Sequence, residues 1–311
     1  FIGFSKYLHK NLKLYDSMII SSTRHYMGIK TANICTKNNI PYIFIPFGSL
    51  QSSGSFIYKL YDYIFTDKMV RNASYSIGQT PHERDLLKCH GAGSVDVINL
   101  PIDIEKLEKY PQNHGFFRKK YNISTGEILI GIISRFHETK GYDYLLELFH
   151  ALSMKSENIK FVIAGRDDGY EDKIVNKMGE LNLSDRIIFI NSGVFNQEKV
   201  DLLVDMDIFI LLPNIYEETV TASLEAAFFN TCLLLNQKAA APMLEEYNAG
   251  LYLKNDLKQD TENIMKIINN REYKRMQEQS RKWVSEEYAL NHVIEKHINV
   301  FNMILQPHRK Q

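Results

Sequence analysis

The stretch Pro213–Ala227 reads PNIYEETVTASLEAA and follows an apolar run, DIFILL, from Asp207 to Leu212. The run reads as a strand, and the small and apolar residues after it suit a helix. Glu217 and Glu225 lie on either side of the presumed helix start. A strand that ends in a loop and feeds a helix N-terminus turns free N–H groups and the positive end of a dipole toward an anion. Thr219, Thr221 and Ser223 offer hydroxyls and N-caps, and Ala222 permits close backbone approach. A carboxylate beside such a site accepts hydrogen bonds from the hydroxyls of a ribose or a sugar. The combination suggests a nucleotide bearing a sugar. Spacing alone leaves a second explanation open, in which both acids only complement a helix dipole.

Working outward, the chain alternates strands and helices twice. Before the central stretch come strands at 127–135 (EILIGIISR), 158–165 (NIKFVIAG) and 185–191 (DRIIFIN), with helices at 141–154, 170–181 and 197–206 between them; CLLLN at 232–236 follows. Runs such as ILIGII and FILL are apolar throughout, as strands covered on both faces should be. The first third repeats the pattern with strands at 17–22, 41–48, 73–79 and 94–101 and helices at 28–38, 56–71 and from Thr80. Thr80, Pro81 and Glu83 form a capped helix start. The aromatics of FIYKLYDYIFTDKMVR at 56–71 are expected in a core. Residues 1–15 form a basic amphipathic helix, which suits either a sheet face, the commoner case, or a membrane surface. Residues 101–116, rich in Pro and charge, read as an interdomain connection, and 260–305 as mostly helical. The expected class is α/β with doubly wound parallel sheets.

The chain has 311 residues, a length that suits two domains, and 37 basic against 37 acidic side chains. That balance weakens any case for a nucleic-acid partner. No apolar run reaches the length of a membrane span. Cys35, Cys89 and Cys232 are widely spaced and odd in number, so they make neither a metal pattern nor a disulfide framework. A reducing, cytoplasmic setting is expected.

A second constellation follows ILIGIIS. The loop SRFHETKG carries Arg135 and Lys140 just past the carboxyl end of a central strand, where open α/β sheets bind ligands. Arg gives a fixed fork and Lys a mobile point charge, a pair suited to a diphosphate. Such cations are more often simply solvated, and Glu138 could pair with either. His137 is given no metal role.

SRFHETKGYDYLLELF, FVIAGRDDGYEDKI, LSDRIIFI and PNIYEETVTASLEAA, in this order and spacing, resemble the C-terminal half of a retaining glycosyltransferase of family GT4. PYIFIPFGSL, SIGQTPHERDLL and VDVINLPID resemble its N-terminal domain more weakly. The resemblance implies the GT-B fold, two Rossmann-like domains facing across a cleft. It implies a partial N-terminal domain over 1–110, a nucleotide-sugar domain over 111–285, and a C-terminal helix over 286–311 that crosses back. The first strands of a complete N-terminal domain are expected before Phe1. It further implies that Arg135 and Lys140 hold the donor diphosphate, that Glu225 binds the ribose and Glu217 lies by the transferred sugar, and that the backbone at Val220 and Thr221 meets the phosphates. The catalytic set would be Glu217, Arg135 and Lys140, with no metal and no cofactor beyond the nucleotide-sugar donor. The acceptor would be a saccharide or a lipid-linked acceptor in polysaccharide or glycoconjugate synthesis, with room for peripheral association at the inner face of a membrane.

Three positions depart from the family pattern. Val220 stands where glycine is usual. KAAAP, Lys238 to Pro242, replaces a glycine-rich loop, and alanine restricts φ > 0 conformations. Phe47 stands where related sequences have histidine. These departures motivate a rival, a catalytically weak nucleotide-sugar-binding subunit that partners an active transferase. An epimerase of the same fold would need further acids or bases, and no motif supplies them.

Overall fold

The computed structural model describes residues 2–21, 23–51 and 54–305. Expectations that fall on Phe1, Ser22 and 306–311 lie outside the described residues. The chain forms two compact units, Phe1–Pro101 with Asn291–Gln311, and Ile102–Leu290.

The first unit runs α1 (Ile2–Asn11), β1 (Met18–Ser21), α2 (Tyr26–Lys37), β2 (Tyr42–Ile45), α3 (Phe56–Tyr61), a π turn at Asp62–Thr66, α4 (Asp67–Arg71), β3 (Tyr75–Gly78), α5 (Pro81–Cys89) and β4 (Val95–Val97). Its four strands lie in the order β1-β2-β3-β4, all parallel. Alternation sorts the strand side chains between two faces. Ile20, Tyr42 and Phe44 pack with Ala32 and Cys35 of α2 and Met69 and Val70 of α4. Ile43, Ile45, Ile77 and Ile98 make a second cluster on the other face. The helix α1 packs through Leu8, and the turn after it through Leu12, on Ile34. As expected, Thr80 Oγ1 accepts from Glu83 N at 3.1 Å and Pro81 opens α5.

One expectation fails here. The aromatics of 56–71 are not core: Phe56, Ile57, Tyr58, Leu60, Tyr63, Ile64 and Phe65 are exposed. Only Asp62, Thr66, Met69 and Val70 of this helix turn inward. An aromatic-rich helix satisfies its sheet through one short stripe, and here that stripe falls at its C-terminal half.

The second unit runs α6 (Ile104–Glu108), α7 (Phe116–Lys120), β5 (Ile128–Ile133), α8 (Tyr142–Ser153), β6 (Ile159–Ala164), α9 (Glu171–Glu180), β7 (Ile187–Ile190), α10 (Asn196–Asp205), β8 (Ile208–Leu211), α11 (Thr221–Phe228), β9 (Cys232–Asn236), β10 (Gly250–Leu253), α12 (Leu257–Asn269) and α13 (Glu272–Glu287). A last helix, α14 (Leu290–Leu305), places Val293, Val300 and Ile304 in the second cluster of the first unit. The six strands of the second unit are parallel in the order β10-β9-β8-β5-β6-β7. Each residue of β8 and β9 is buried, and each Ile or Leu so covered contributes about 1.5–3 kcal/mol. The strand β10 carries no long apolar run and was not expected.

Residues 102–116, read from sequence as a connection, belong to the second unit. Asn113 Nδ2 donates to Asp201, Gly115 N and Arg118 N to the two oxygens of Asp205, and Arg118 Nη2 to Asp207 at 2.6 Å. Burial pushes the Asp207 carboxyl above its ordinary range, against the lowering pull of Leu129 N–H and Arg118.

Candidate functional site

The order of the second sheet decides where the site lies. From β5 the chain steps outward to β6 and β7, then returns to the opposite side of β5 with β8. The loops after β5 and β8 therefore emerge side by side, at the switch point where open parallel sheets take their ligands. These are the loops that carry Arg135 and Lys140, and Glu217 to Thr221.

Gly141 makes their meeting possible. It closes a 3₁₀ turn at Glu138–Lys140 and starts α8 at φ 75°. A Cβ there would sit 1.8 Å from the carbonyl oxygen of Leu212, so no other residue lets the loop lie on the end of β8. The contact is then fixed by Asn214, whose N–H donates to Thr139 O at 2.8 Å and whose Nδ2 donates to Glu138 O at 2.9 Å. Glu138 thus serves through its backbone and pairs with neither cation.

Lys140 Nζ donates to Glu217 Oε1 at 2.6 Å, with only 15 % and 12 % of the two side chains exposed. Arg135 pairs with Asp168 from the loop after β6 in a far more open setting. Lys199 of α10 donates to both oxygens of Glu225 at 2.8 Å. Sequence reasoning found both members of the first pair and one of each of the other two, and missed Asp168 and Lys199. Neither could be seen from spacing, because each partner comes from a different strand–helix unit. Each glutamate holds a lysine, a stronger partner than a helix dipole alone.

Glu217 is also fixed through its backbone. Its N–H donates to Lys238 O at 2.7 Å, and Ala240 N donates to its carbonyl at 2.9 Å. KAAAP thus lies along the loop as a short parallel bridge, Glu217 to Ala239, with all three alanines buried. The positive φ that alanine would resist is carried by Met243 instead, at 64°. Lys238 Nζ donates to Asn214 O, and Asn236 Nδ2 to Pro213 O, closing the loop on itself.

Val220 is buried and takes the N-cap of α11 at φ −102°, outside the positive-φ region that would call for glycine. Its carbonyl accepts from Ser223 N and Leu224 N. None of the three hydroxyls caps this helix, contrary to the expectation from sequence. Thr219 and Thr221 are exposed, and Ser223 is buried with its Oγ unpartnered. His137 Nδ1 lies 2.8 Å from Thr139 Oγ1, in a local turn. Tyr142, buried below the loop, has its hydroxyl pushed up chiefly by burial, with Glu217 adding in the same direction.

Phe47 belongs to the first unit, after β2. It is exposed at φ 50° and followed by Gly48 at φ 77°. The buried Glu83 carboxylate holds this loop by accepting from Gly48 N at 2.5 Å and Gln79 N at 2.8 Å. Among the described residues no three His, Cys, Asp or Glu side chains group as a metal site. The three cysteines are free thiols, Cys35 and Cys232 buried and Cys89 exposed.

Comparison with known proteins agrees with this architecture. The glycosyltransferase from Rickettsia africae ESF-5 superposes with a TM-score of 0.77 at 16 % identity, over 97 % of this chain and 81 % of that one. HepE of Anabaena, solved in complex with UDP-glucose, gives 0.78 at 16 % identity, over 96 % and 82 %. The fold is thus that of the GT-B glycosyltransferases. The "Putative glycosyltransferase EpsF" of Bacillus subtilis (strain 168) is 25 % identical over 180 residues, 58 % of this chain and only 42 % of that relative's length. Residues 113–283, which span the switch-point loops, the three alanines and most of α13, match the family described as "Glycosyl transferases group 1", and the chain belongs to that family.

Proposed function

We propose that this protein is a configuration-retaining glycosyltransferase of the GT4 type, moving a hexosyl group from a nucleoside-diphosphate sugar to an acceptor hydroxyl. The observation that carries the reading is the meeting of Lys140 and Glu217 at 2.6 Å across the switch point, next to the start of α11. The UDP-glucose bound to the similar HepE supports a donor of this class.

In this reading Arg135 and Lys140 turn from their carboxylate partners to the donor diphosphate. The N–H groups at Val220 and Thr221 meet the same phosphates at the positive end of α11. Negative charge grows on the departing diphosphate, so these groups stabilise the transition state more than the ground state. Glu225 accepts the ribose hydroxyls, held in orientation by Lys199. Glu217 faces the transferred sugar and is released to it as Lys140 engages phosphate. The acceptor attacks from the face the diphosphate leaves, through a short-lived oxocarbenium-like state, and the leaving phosphate takes the proton. No step is assigned to a metal. The acceptor is a saccharide or lipid-linked acceptor of polysaccharide or glycoconjugate synthesis. The protein works in the cytoplasm and associates peripherally with the inner face of the membrane.

The test is turnover. The chain is incubated with UDP-, GDP- and ADP-hexoses, with and without a saccharide acceptor panel, and nucleoside diphosphate release and product anomeric configuration are followed by NMR. Release with a retained anomer supports the reading. Inversion removes the retaining mechanism. Tight donor binding without turnover of any donor points to the rival binding subunit.

A further inference from the structure

Residues 1–73 contain nine Lys and Arg against three Asp and no Glu, in a chain whose formal net charge is zero. The first unit carries a surface that folding leaves apolar. Phe56, Ile57 and Tyr63 are 77 %, 76 % and 72 % exposed, and Tyr58, Leu60, Ile64 and Phe65 lie open with them. Folded surfaces carry such side chains singly; seven within ten residues form a patch that marks an interaction site.

The charges decide what covers it. Both acids of the helix Phe56–Arg71 are engaged by partners within the unit. Asp62 accepts from Arg24 Nε and Nη2 at 3.1 and 2.7 Å, and Asp67 lies 2.7 Å from His90 Nδ1. Lys59 and Lys68 are exposed, and with Arg71 they make no ion pair among the described residues. The helix α2, which packs on α4, adds Lys30 and Lys37 and no acid. The helix α1, which packs on α2, adds Lys6 and Lys10 and no acid. Between α2 and α4 a hollow of about 210 Å³ opens beside the patch, lined by Ile29, Tyr42, Ile64, Phe65 and Lys68 among others. The partner must therefore be apolar in depth and negative at its surface. Aromatic side chains interleaved with lysine are what the boundary of a lipid bilayer accommodates.

We propose that the helix Phe56–Arg71 is the face by which this protein lies on an anionic bilayer. Its apolar side chains enter the acyl boundary, and Lys59, Lys68 and Arg71 sit among the lipid phosphates. No helix among the described residues is long and apolar enough to cross a membrane. This rests on the peripheral association proposed above and gives it a location, distinct from the nucleotide site of the second unit. It also moves the membrane role away from α1, because Leu8 and the Leu12 that follows the helix are buried against α2.

The test is co-sedimentation of the full chain with vesicles of phosphatidylcholine alone and of phosphatidylcholine mixed with phosphatidylglycerol, at low and high salt. Binding to the anionic vesicles that weakens with salt is expected. Two variants should each reduce it at least about tenfold: Phe56→Ser/Ile57→Ser/Tyr63→Ser, and Lys59→Glu/Lys68→Glu/Arg71→Glu. Both change exposed positions, and an unchanged Tm and unchanged nucleoside diphosphate affinity confirm that the units remain folded. No binding to anionic vesicles, equal binding to neutral ones, or binding that both variants retain overturns the proposal. So does a lipid-free dimer, seen by sedimentation velocity, that the serine variant abolishes, because the patch then belongs to a second copy. Loss of nucleotide binding in the unmodified chain would fail the transferase reading while leaving this result intact.

Discussion

Lys140 and Glu217 are 77 residues apart and meet at 2.6 Å because β8 returns to lie beside β5. Each neutralises the other in a setting that is mostly closed to water. Glu217→Gln should leave the lysine short of a charged partner, at a cost of about 1–3 kcal/mol in stability. The freed lysine should bind a free nucleoside diphosphate no worse than before. Affinity for the intact donor, or the rate of transfer, should fall. Thermal unfolding together with titrations of donor and diphosphate checks both halves of the statement.

Gly141→Ala should act on the same pair from a distance. The new Cβ meets Leu212 O at 1.8 Å in a backbone already at φ 75°. The loop must lift from β8, with an expected loss of about 2–4 kcal/mol and a weakened diphosphate site. A stable variant with ordinary affinity would mean that the loop has another way to sit.

Asp168 competes with any phosphate for Arg135. The pair is exposed, and such pairs hold about 0–1 kcal/mol. Asp168→Asn should therefore tighten diphosphate binding by at most about fivefold, and leave a nucleoside without phosphates unaffected. Weaker diphosphate binding would instead make Asp168 a positioning partner of Arg135.

The start of α9 should be sensitive to acid. Asp167 accepts from the N–H groups of Gly169, Tyr170 and Glu171, each at 3.0 Å, and the bonds from Glu171 and Tyr170 lead in holding its carboxyl below the usual range. A lowered carboxyl stabilises the fold above its ordinary pKa, and that contribution is lost as pH falls through the lowered value. Amide exchange at Gly169 to Glu171 should be faster in Asp167→Asn than in the parent at neutral pH, and the two should converge in acid.

The sequence made the second sheet legible because its strands are buried on both faces and read as unbroken apolar runs. Arg135, Lys140 and Glu217 were legible because they stand just beyond such runs, and Glu225 because it lies on the helix that follows one. Their partners were not. Lys199 sits on an ordinary helix face and Asp168 in a charged loop, and only the strand order brings them to Glu225 and Arg135. The strand β10 is short, and the exposure of α3 depends on which residues of one helix reach the sheet. That is a matter of packing, which aromatic content does not reveal.

The central claim is that the switch-point loops of the second unit hold a nucleoside diphosphate, with Glu225 on the ribose. The most direct measurement is a calorimetric titration of uridine, guanosine and adenosine diphosphates into the parent chain and into Glu225→Gln. Charge-assisted bonds to ribose hydroxyls are worth about 1.5–3 kcal/mol each. The account therefore predicts that the parent binds one diphosphate and that the variant binds it roughly ten- to a hundredfold more weakly. Equal affinity in parent and variant, or no binding of any diphosphate to the parent, would contradict it.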